Sequence, residues 1–265
     1  MSTIITLTTD WGLRDFFVAA LKGAVINLLP QISFVDVTHI IPRGDIGTAA
    51  YNLKNAWYHF PVGTIHFVGI DTEGFYTNNL LVFEYEQHYF VGFNSGVFSM
   101  FLDNVPTKLY QYNFEPDARF NYKHLAEIAN CIVSKQSIET IASPINNWLE
   151  RSFLVPSPEA DFILGQIIYI DTYGNLITNI EASVFEFLRN SRPFEIQLRV
   201  RGTQIRTISK WYTDVEQGEI VALFNEAGFL EIAINNASAD KLLGYKHSNN
   251  IRVEFNDRKD SKVNY

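Results

Sequence analysis

At 265 residues the chain is long enough for one large or two modest domains, and at 47% hydrophobic and 14% aromatic residues it can bury a substantial core, which excludes a disordered chain. A formal charge of −8 disfavours nucleic acid and anionic membranes as partners, because both call for a basic patch, and suits a cationic ligand. Cys131 is the only cysteine, which excludes an intrachain disulfide and a cysteine-cluster metal site.

The first half alternates in type. Residues 4–8 are a short β-branched strand, and residues 17–29 carry apolar side chains at helical spacing, with Asp15 as the expected N-cap and Pro30 as the stop. Residues 32–37 form a second strand, residues 46–58 a second helix capped by Asp45, and residues 65–70 a continuous apolar strand. Strand, helix, strand, helix, strand implies right-handed crossovers and a largely parallel sheet, an α/β domain. Residues 80–85 and 89–92 read as a hairpin around Glu86-Gln87-His88, and residues 123–135 as a helix. Residues 151–161, with Pro156, Ser157, Pro158 and Glu159, read as a linker. Beyond it, short strand-like runs at 163–170, 194–201, 219–224, 229–234 and 251–255 make a mostly-β second domain, with helical pattern only near 182–188 and 239–243. The domains are expected at 1–152 and 160–256, ahead of a polar tail. No basic segment followed by an apolar run opens the chain, and no apolar stretch reaches about 18 residues, so a soluble cytoplasmic protein is expected.

Asp10 follows the first strand at the carboxyl edge of the sheet, where ligands bind in open α/β folds. A carboxylate there can accept two hydrogen bonds from a vicinal diol such as a ribose; the alternative is a capping or turn aspartate. Asp71, after the third strand, is placed either to position and deprotonate a water or to close a turn. His39 ends the second strand and as a lone histidine is expected to be structural. His59, His66, His88 and His247 have no ligand-like spacing, so no metal site is expected. Asp171, Tyr173, Asn175 and Asn179 crowd one strand–turn–strand. Gly174-Asn175 suits a tight turn, while tyrosine and asparagine together also offer a stacking face and an amide to an adenine or amino-acid ligand. The segment from Asn225 to Ser238, which includes Asn235 and Ala237, packs a strand and a polar turn in the same way.

Two blocks, Thr6-Leu7-Thr8-Thr9-Asp10-Trp11-Gly12 and Tyr169-Ile170-Asp171-Thr172-Tyr173-Gly174-Asn175-Leu176-Ile177-Thr178-Asn179-Ile180, together resemble the S-adenosylmethionine-dependent halogenase and hydroxide adenosyltransferase family. Val35-Asp36-Val37-Thr38-His39, Pro42-Arg43-Gly44-Asp45 and Phe229-Leu230-Glu231-Ile232-Ala233 with Asn235-Asn236-Ala237 extend the match over nearly the whole chain. The resemblance implies a barrel-like C-terminal domain and a homotrimer whose ligand lies between subunits. It further implies attack of water or hydroxide on the ribose C5′ of S-adenosylmethionine, giving adenosine and L-methionine with no cofactor. By resemblance Asp10 holds the ribose hydroxyls, Asp171 the methionine amino group, Tyr173 and Asn175 the nucleoside, and Asn235 and Ala237 line the adenine and methionine ends. The water-holding Asp, Arg and His of the hydroxide-forming branch are matched only by Asp71; Asn78 stands where the Arg belongs, Asn121 replaces the His, and Gly44 sits where a stacking aromatic is usual. Asp71, Asn78 and Asn121 are therefore the candidate catalytic positions. A slow hydrolase, a catalytically eroded S-adenosylmethionine or adenosine binder, and a hydrolase of another nucleoside all fit these departures.

Overall fold

The structure, a computed structural model, describes residues 3–70, 79–102, 104–115, 118, 120–153, 156–159, 161–199 and 204–256. Asp71 and Asn78 lie outside them. The chain divides into two compact units, Met1–Ser152 and Phe153–Tyr265.

The first unit runs β1 (Ile4–Thr9), α1 (Phe17–Leu28), β2 (Ser33–Thr38), α2 (Ile46–Ala56), β3 (Ile65–Gly69), β4 (Leu80–Tyr85), β5 (His88–Phe93), α3 (Val97–Phe101), β6 (Leu109–Tyr112), α4 (Tyr122–Val133) and β7 (Ala142–Pro144). Its sheet has the order β2-β1-β3-β5-β4-β6-β7. Strands β2, β1, β3 and β5 are parallel, four of the seven, and β4, β6 and β7 extend the sheet antiparallel. Alternation along the strands divides the core. Ile5, Leu7, Phe67 and Val91 pack with Leu21 and Val25 of α1 and Leu125 and Ile128 of α4. Phe90 faces the other way and stacks on Phe83, which meets Phe98 and Trp148 edge-on.

The second unit contains β8 (Ser157–Pro158), β9 (Phe162–Ile170), β10 (Leu176–Glu181), α5 (Ala182–Arg189), β11 (Phe194–Gln197), β12 (Gln204–Ile205), β13 (Ile220–Phe224), β14 (Phe229–Ile234), α6 (Ala239–Leu243) and β15 (Asn250–Phe255). Its strands follow the order β12-β11-β15-β9-β10-β14-β13, with β8 paired to β9. All pairs are antiparallel. The end strands β12 and β13 approach one another, so the sheet is nearly closed on a core of Ile163, Ile167, Leu176, Phe185, Ile232 and Val253. Closure disposes of the unpaired edges that an open antiparallel sheet would expose.

Several local expectations are corrected. Helix α1 has Phe16 at its N-cap and no side-chain cap, so Asp15 does not cap it; burial of Val18, Leu21 and Val25 against the sheet sets the start. Asp45 does cap α2, accepting from Thr48 N–H at 2.9 Å. The 80–93 hairpin turns on Glu86 and Gln87 alone, both at positive φ, which places His88 inside β5. Ser157 and Pro158, expected in a linker, form an edge strand, a position proline tolerates because its missing N–H is not needed there. The strand expected at 194–201 ends at Gln197.

Candidate active site

The carboxyl edge of the parallel strands gathers polar groups from three strand ends. Asp10 follows β1, and its Oδ2 accepts from Gly44 N–H at 2.9 Å. Gly44 adopts φ +72°, a backbone state that favours glycine. Gly12 N–H donates to the His39 carbonyl at 2.7 Å, so the loops after β1 and β2 are tied together at two points. His39 is buried; its Nδ1 lies 2.8 Å from Thr9 Oγ1 and its Nε2 3.2 Å from Asp36 Oδ1. Asp36 Oδ2 in turn accepts from Lys22 Nζ at 2.6 Å. Burial pushes the Asp36 carboxyl up, but the bonds and charges of Lys22 and His39 outweigh it and leave its pKa below the ordinary value. His39 is thus a structural link between the site loop and the outer ion pair. Thr8 Oγ1, near the end of β1, and Ser95 Oγ, just after β5, are buried without a hydrogen-bond partner among the described residues.

Asn121 is the N-cap of α4. Its Oδ1 accepts from Lys123 N–H at 2.9 Å, and its own N–H donates to His124 Nδ1 at 3.0 Å, a reciprocal capping box. Burial lowers the His124 pKa, opposed by Glu127, which favours the neutral ring that this acceptor role needs.

In the second unit, Asp171 organises the turn between β9 and β10. Its Oδ1 accepts from Tyr173 N–H at 2.9 Å and Asn175 N–H at 2.8 Å, and its Oδ2 from Asn175 Nδ2 at 2.9 Å. Gly174 sits at φ +86°, and a Cβ there would collide with Ser238 Oγ and Asp240 Oδ1. Its carbonyl accepts from Asp240 N–H at 2.9 Å, and Ser238 Oγ is hydrogen-bonded to Asp240 Oδ1. These contacts press the 171–175 turn against the chain that follows β14. Between them lies a cleft of about 930 Å³ lined by Asp171, Tyr173, Asn175, Asn235 and Ala237, together with Tyr212, Gln217, Ile234, Asn236 and Ser238. Asn235 is fixed by its Nδ2, which donates to the Val215 carbonyl at 2.9 Å. Asn179 is not in the cleft lining; its Oδ1 accepts from Gln166 N–H inside the sheet. The volume falls in the range of small-molecule sites.

The structure therefore brings five sequence-predicted ligand residues together in one cleft and places Asp10 at the sheet edge of the other unit. Tyr212 and Gln217 were missed, because the 212–217 segment reaches the cleft through the β13–β14 pairing, which no local motif signals. Among the described residues no helix is long and apolar enough to cross a membrane, and no group of three His, Cys, Asp or Glu could hold a metal ion.

The model of the SAM hydroxide adenosyltransferase N-terminal domain matches residues 5–142, and that of the C-terminal domain matches residues 165–252. The (R)-S-adenosyl-L-methionine hydrolase of Methanocaldococcus jannaschii is 27% identical over 265 residues, covering 95% of this chain and 96% of that protein. The protein of the same description from Salinispora tropica is 26% identical over 261 residues, covering 94% and 97%. The crystal structure of an uncharacterized conserved protein from Thermotoga maritima superposes with TM-score 0.81 at 23% identity, covering 95% of this chain and 99% of that one, and shows the same fold.

Proposed function

The chain belongs to the SAM hydroxide adenosyltransferase family, and from that premise we propose that it hydrolyses S-adenosyl-L-methionine to adenosine and L-methionine. The observation that carries the reading is the cleft in which Asp171, Tyr173, Asn175, Asn235 and Ala237 converge. Among the described residues, its ionisable lining groups are Asp171 and two tyrosines, an environment suited to a cationic sulfonium or ammonium group.

A water oxygen attacks C5′ and the C5′–S bond breaks with its electron pair going to sulfur, so the sulfonium becomes the neutral thioether of methionine. The water's proton passes to a base and then to solvent. The leaving group departs uncharged, so no general acid and no cofactor is required. Asp71 is the base and water-positioning carboxylate. Asp10 accepts the ribose hydroxyls, supported by its place at the carboxyl edge. Tyr173 and Asn175 hold the nucleoside, Asp171 the amino group, and Asn235 and Ala237 the far ends of the ligand. Asn78 and Asn121 stand in place of a charged Arg and a His. Losing one positioned partner lowers such rates by about 10²- to 10³-fold, so the enzyme turns over slowly. The protein works in the cytoplasm as a homotrimer, with each site completed by the C-terminal domain of a neighbouring subunit.

The test is incubation with each sulfonium epimer of S-adenosyl-L-methionine in ¹⁸O-water, with chromatography and mass spectrometry of the products. Adenosine carrying ¹⁸O at its 5′-hydroxyl is expected. Tight binding of S-adenosyl-L-methionine or adenosine without any turnover would instead make the protein a binder.

A further inference from the structure

Glu231 lies in the middle of β14, registered against Ile177 of β10 on one side and Leu223 of β13 on the other, and is 3% exposed. Its Oε1 accepts from the Tyr212 hydroxyl at 2.6 Å and its Oε2 from Asn225 Nδ2 at 3.3 Å. Burial raises its pKa and the charge of Asp171 adds to that, while the two hydrogen bonds oppose it. A carboxylate buried on neutral donors does little for stability, since a well-packed apolar side chain in its place is often neutral or better. Stability therefore does not account for a carboxylate at this position, and the bond to Tyr212 does.

Tyr212 is a wall of the cleft, yet 41% of its surface is exposed, on a short turn. The backbone of that turn is held independently, because Lys210 N–H and Trp211 N–H both donate to Asp214 Oδ2, at 2.8 and 3.0 Å. The turn fixes where the Tyr212 ring begins, and the phenol bond to Glu231 acts on which way it points. The phenol bond runs to the centre of a strand hydrogen-bonded on both sides, by β10 and by β13. Asn225, the second donor to Glu231, also accepts from Phe229 N–H at 3.1 Å, which holds the carboxylate in line with the strand.

We propose that Glu231 is a positioning residue that fixes the Tyr212 ring as a preorganised wall of the nucleoside cleft, acting through the phenol hydroxyl and touching no ligand itself. Preorganisation of this kind lowers the ordering cost of binding. The inference rests on the functional reading above in one respect only, that the cleft binds a nucleoside.

The experiment is calorimetry with adenosine on the full chain, alongside steady-state kinetics with S-adenosyl-L-methionine. Tyr212→Phe keeps the ring and loses the tether, so the adenosine Kd should rise about five- to tenfold, the size of one net hydrogen bond. The kinetic loss should fall on KM rather than kcat. Glu231→Leu should weaken binding by the same factor, and Tyr212→Phe should add nothing in that background. Glu231→Gln keeps an acceptor and should recover most of the lost affinity. Wild-type affinity in Tyr212→Phe, or losses that multiply in the double variant, would overturn the proposal. If Glu231→Leu does not fold, Tyr212→Phe still decides the matter, because it leaves the core untouched. Wild-type protein that binds no adenosine removes the nucleoside reading and this inference together, whereas wild-type affinity in Tyr212→Phe removes the inference alone.

Discussion

Asp10 carries two loads, and they can be separated. Its Oδ2 accepts from Gly44 N–H, and in the proposed site the carboxylate also accepts the ribose hydroxyls. Asp10→Ala should weaken adenosine binding by about 2–4 kcal/mol, since hydrogen bonds to a charged group contribute about 1.5–3 kcal/mol each. Asp10→Asn keeps an acceptor for Gly44 and should lose less. Equal affinity of wild type and Asp10→Ala in calorimetry would defeat the assignment. The residues of the cleft were legible in proportion to how local they are. Asp171, Tyr173 and Asn175 sit within five positions, and the carboxylate that draws attention in the sequence also ties the turn together. Tyr212 and Glu231 are 19 positions apart, and nothing in either neighbourhood announces the 2.6 Å bond that joins them. Long-range side-chain pairs of this kind depend on strand register, which sequence pattern alone does not fix.

Helix α4 shows how an element can claim a residue expected in the chemistry. Asn121 stands where the family resemblance puts a water-holding His, yet its Oδ1 caps the helix and His124 returns the bond. Asn121→Ala should lower stability by about 1 kcal/mol, as for other caps, read as a shift of the urea midpoint. Asn121→Ser keeps the cap and removes the carboxamide. Turnover retained in Asn121→Ser assigns the residue to the helix, whereas a fall of tenfold or more returns it to the site. The same competition limits any attempt to restore the resembled pair by Asn78→Arg with Asn121→His, because the imidazole forfeits the cap it replaces. At this scale the alternating strands and helices of the first unit were legible from periodicity, and so was the Asp45 cap. The β8 edge strand was not, because two residues with a proline carry no period, and Asp15 misled because core packing, not capping, sets the start of α1.

At the scale of the molecule, the proposed trimer predicts that dilution weakens adenosine binding together with the loss of trimer mass in light scattering. Full binding by a monomer would sink it. Acid should act on the molecule through a different feature, a buried imidazole pair in the first unit. His66 Nδ1 lies 2.8 Å from Thr6 Oγ1 and its Nε2 3.0 Å from His88 Nδ1, with Phe90 stacked on His66, Phe60 at its edge and Trp57 against His88. Burial, with the neighbouring charge of His88, pushes the His66 pKa down to about 3; burial also lowers that of His88, opposed by Glu86. The unfolded chain binds the proton near pH 6.5 and the folded chain does not. The stability contributed by the neutral ring is therefore complete above about pH 6.5 and is lost progressively as pH falls toward 3, by about 1.4 kcal/mol per unit. Between pH 8 and pH 5 the unit should lose about 2 kcal/mol through His66 alone. Hydrogen exchange of peptides covering β1, β3 and β5, corrected for the intrinsic pH dependence, reads the opening of this unit. His66→Gln keeps a donor and an acceptor between Thr6 and His88 but cannot titrate, so its protection should fall less steeply with acid. An identical slope in wild type and His66→Gln would show that the pair is not what acid attacks.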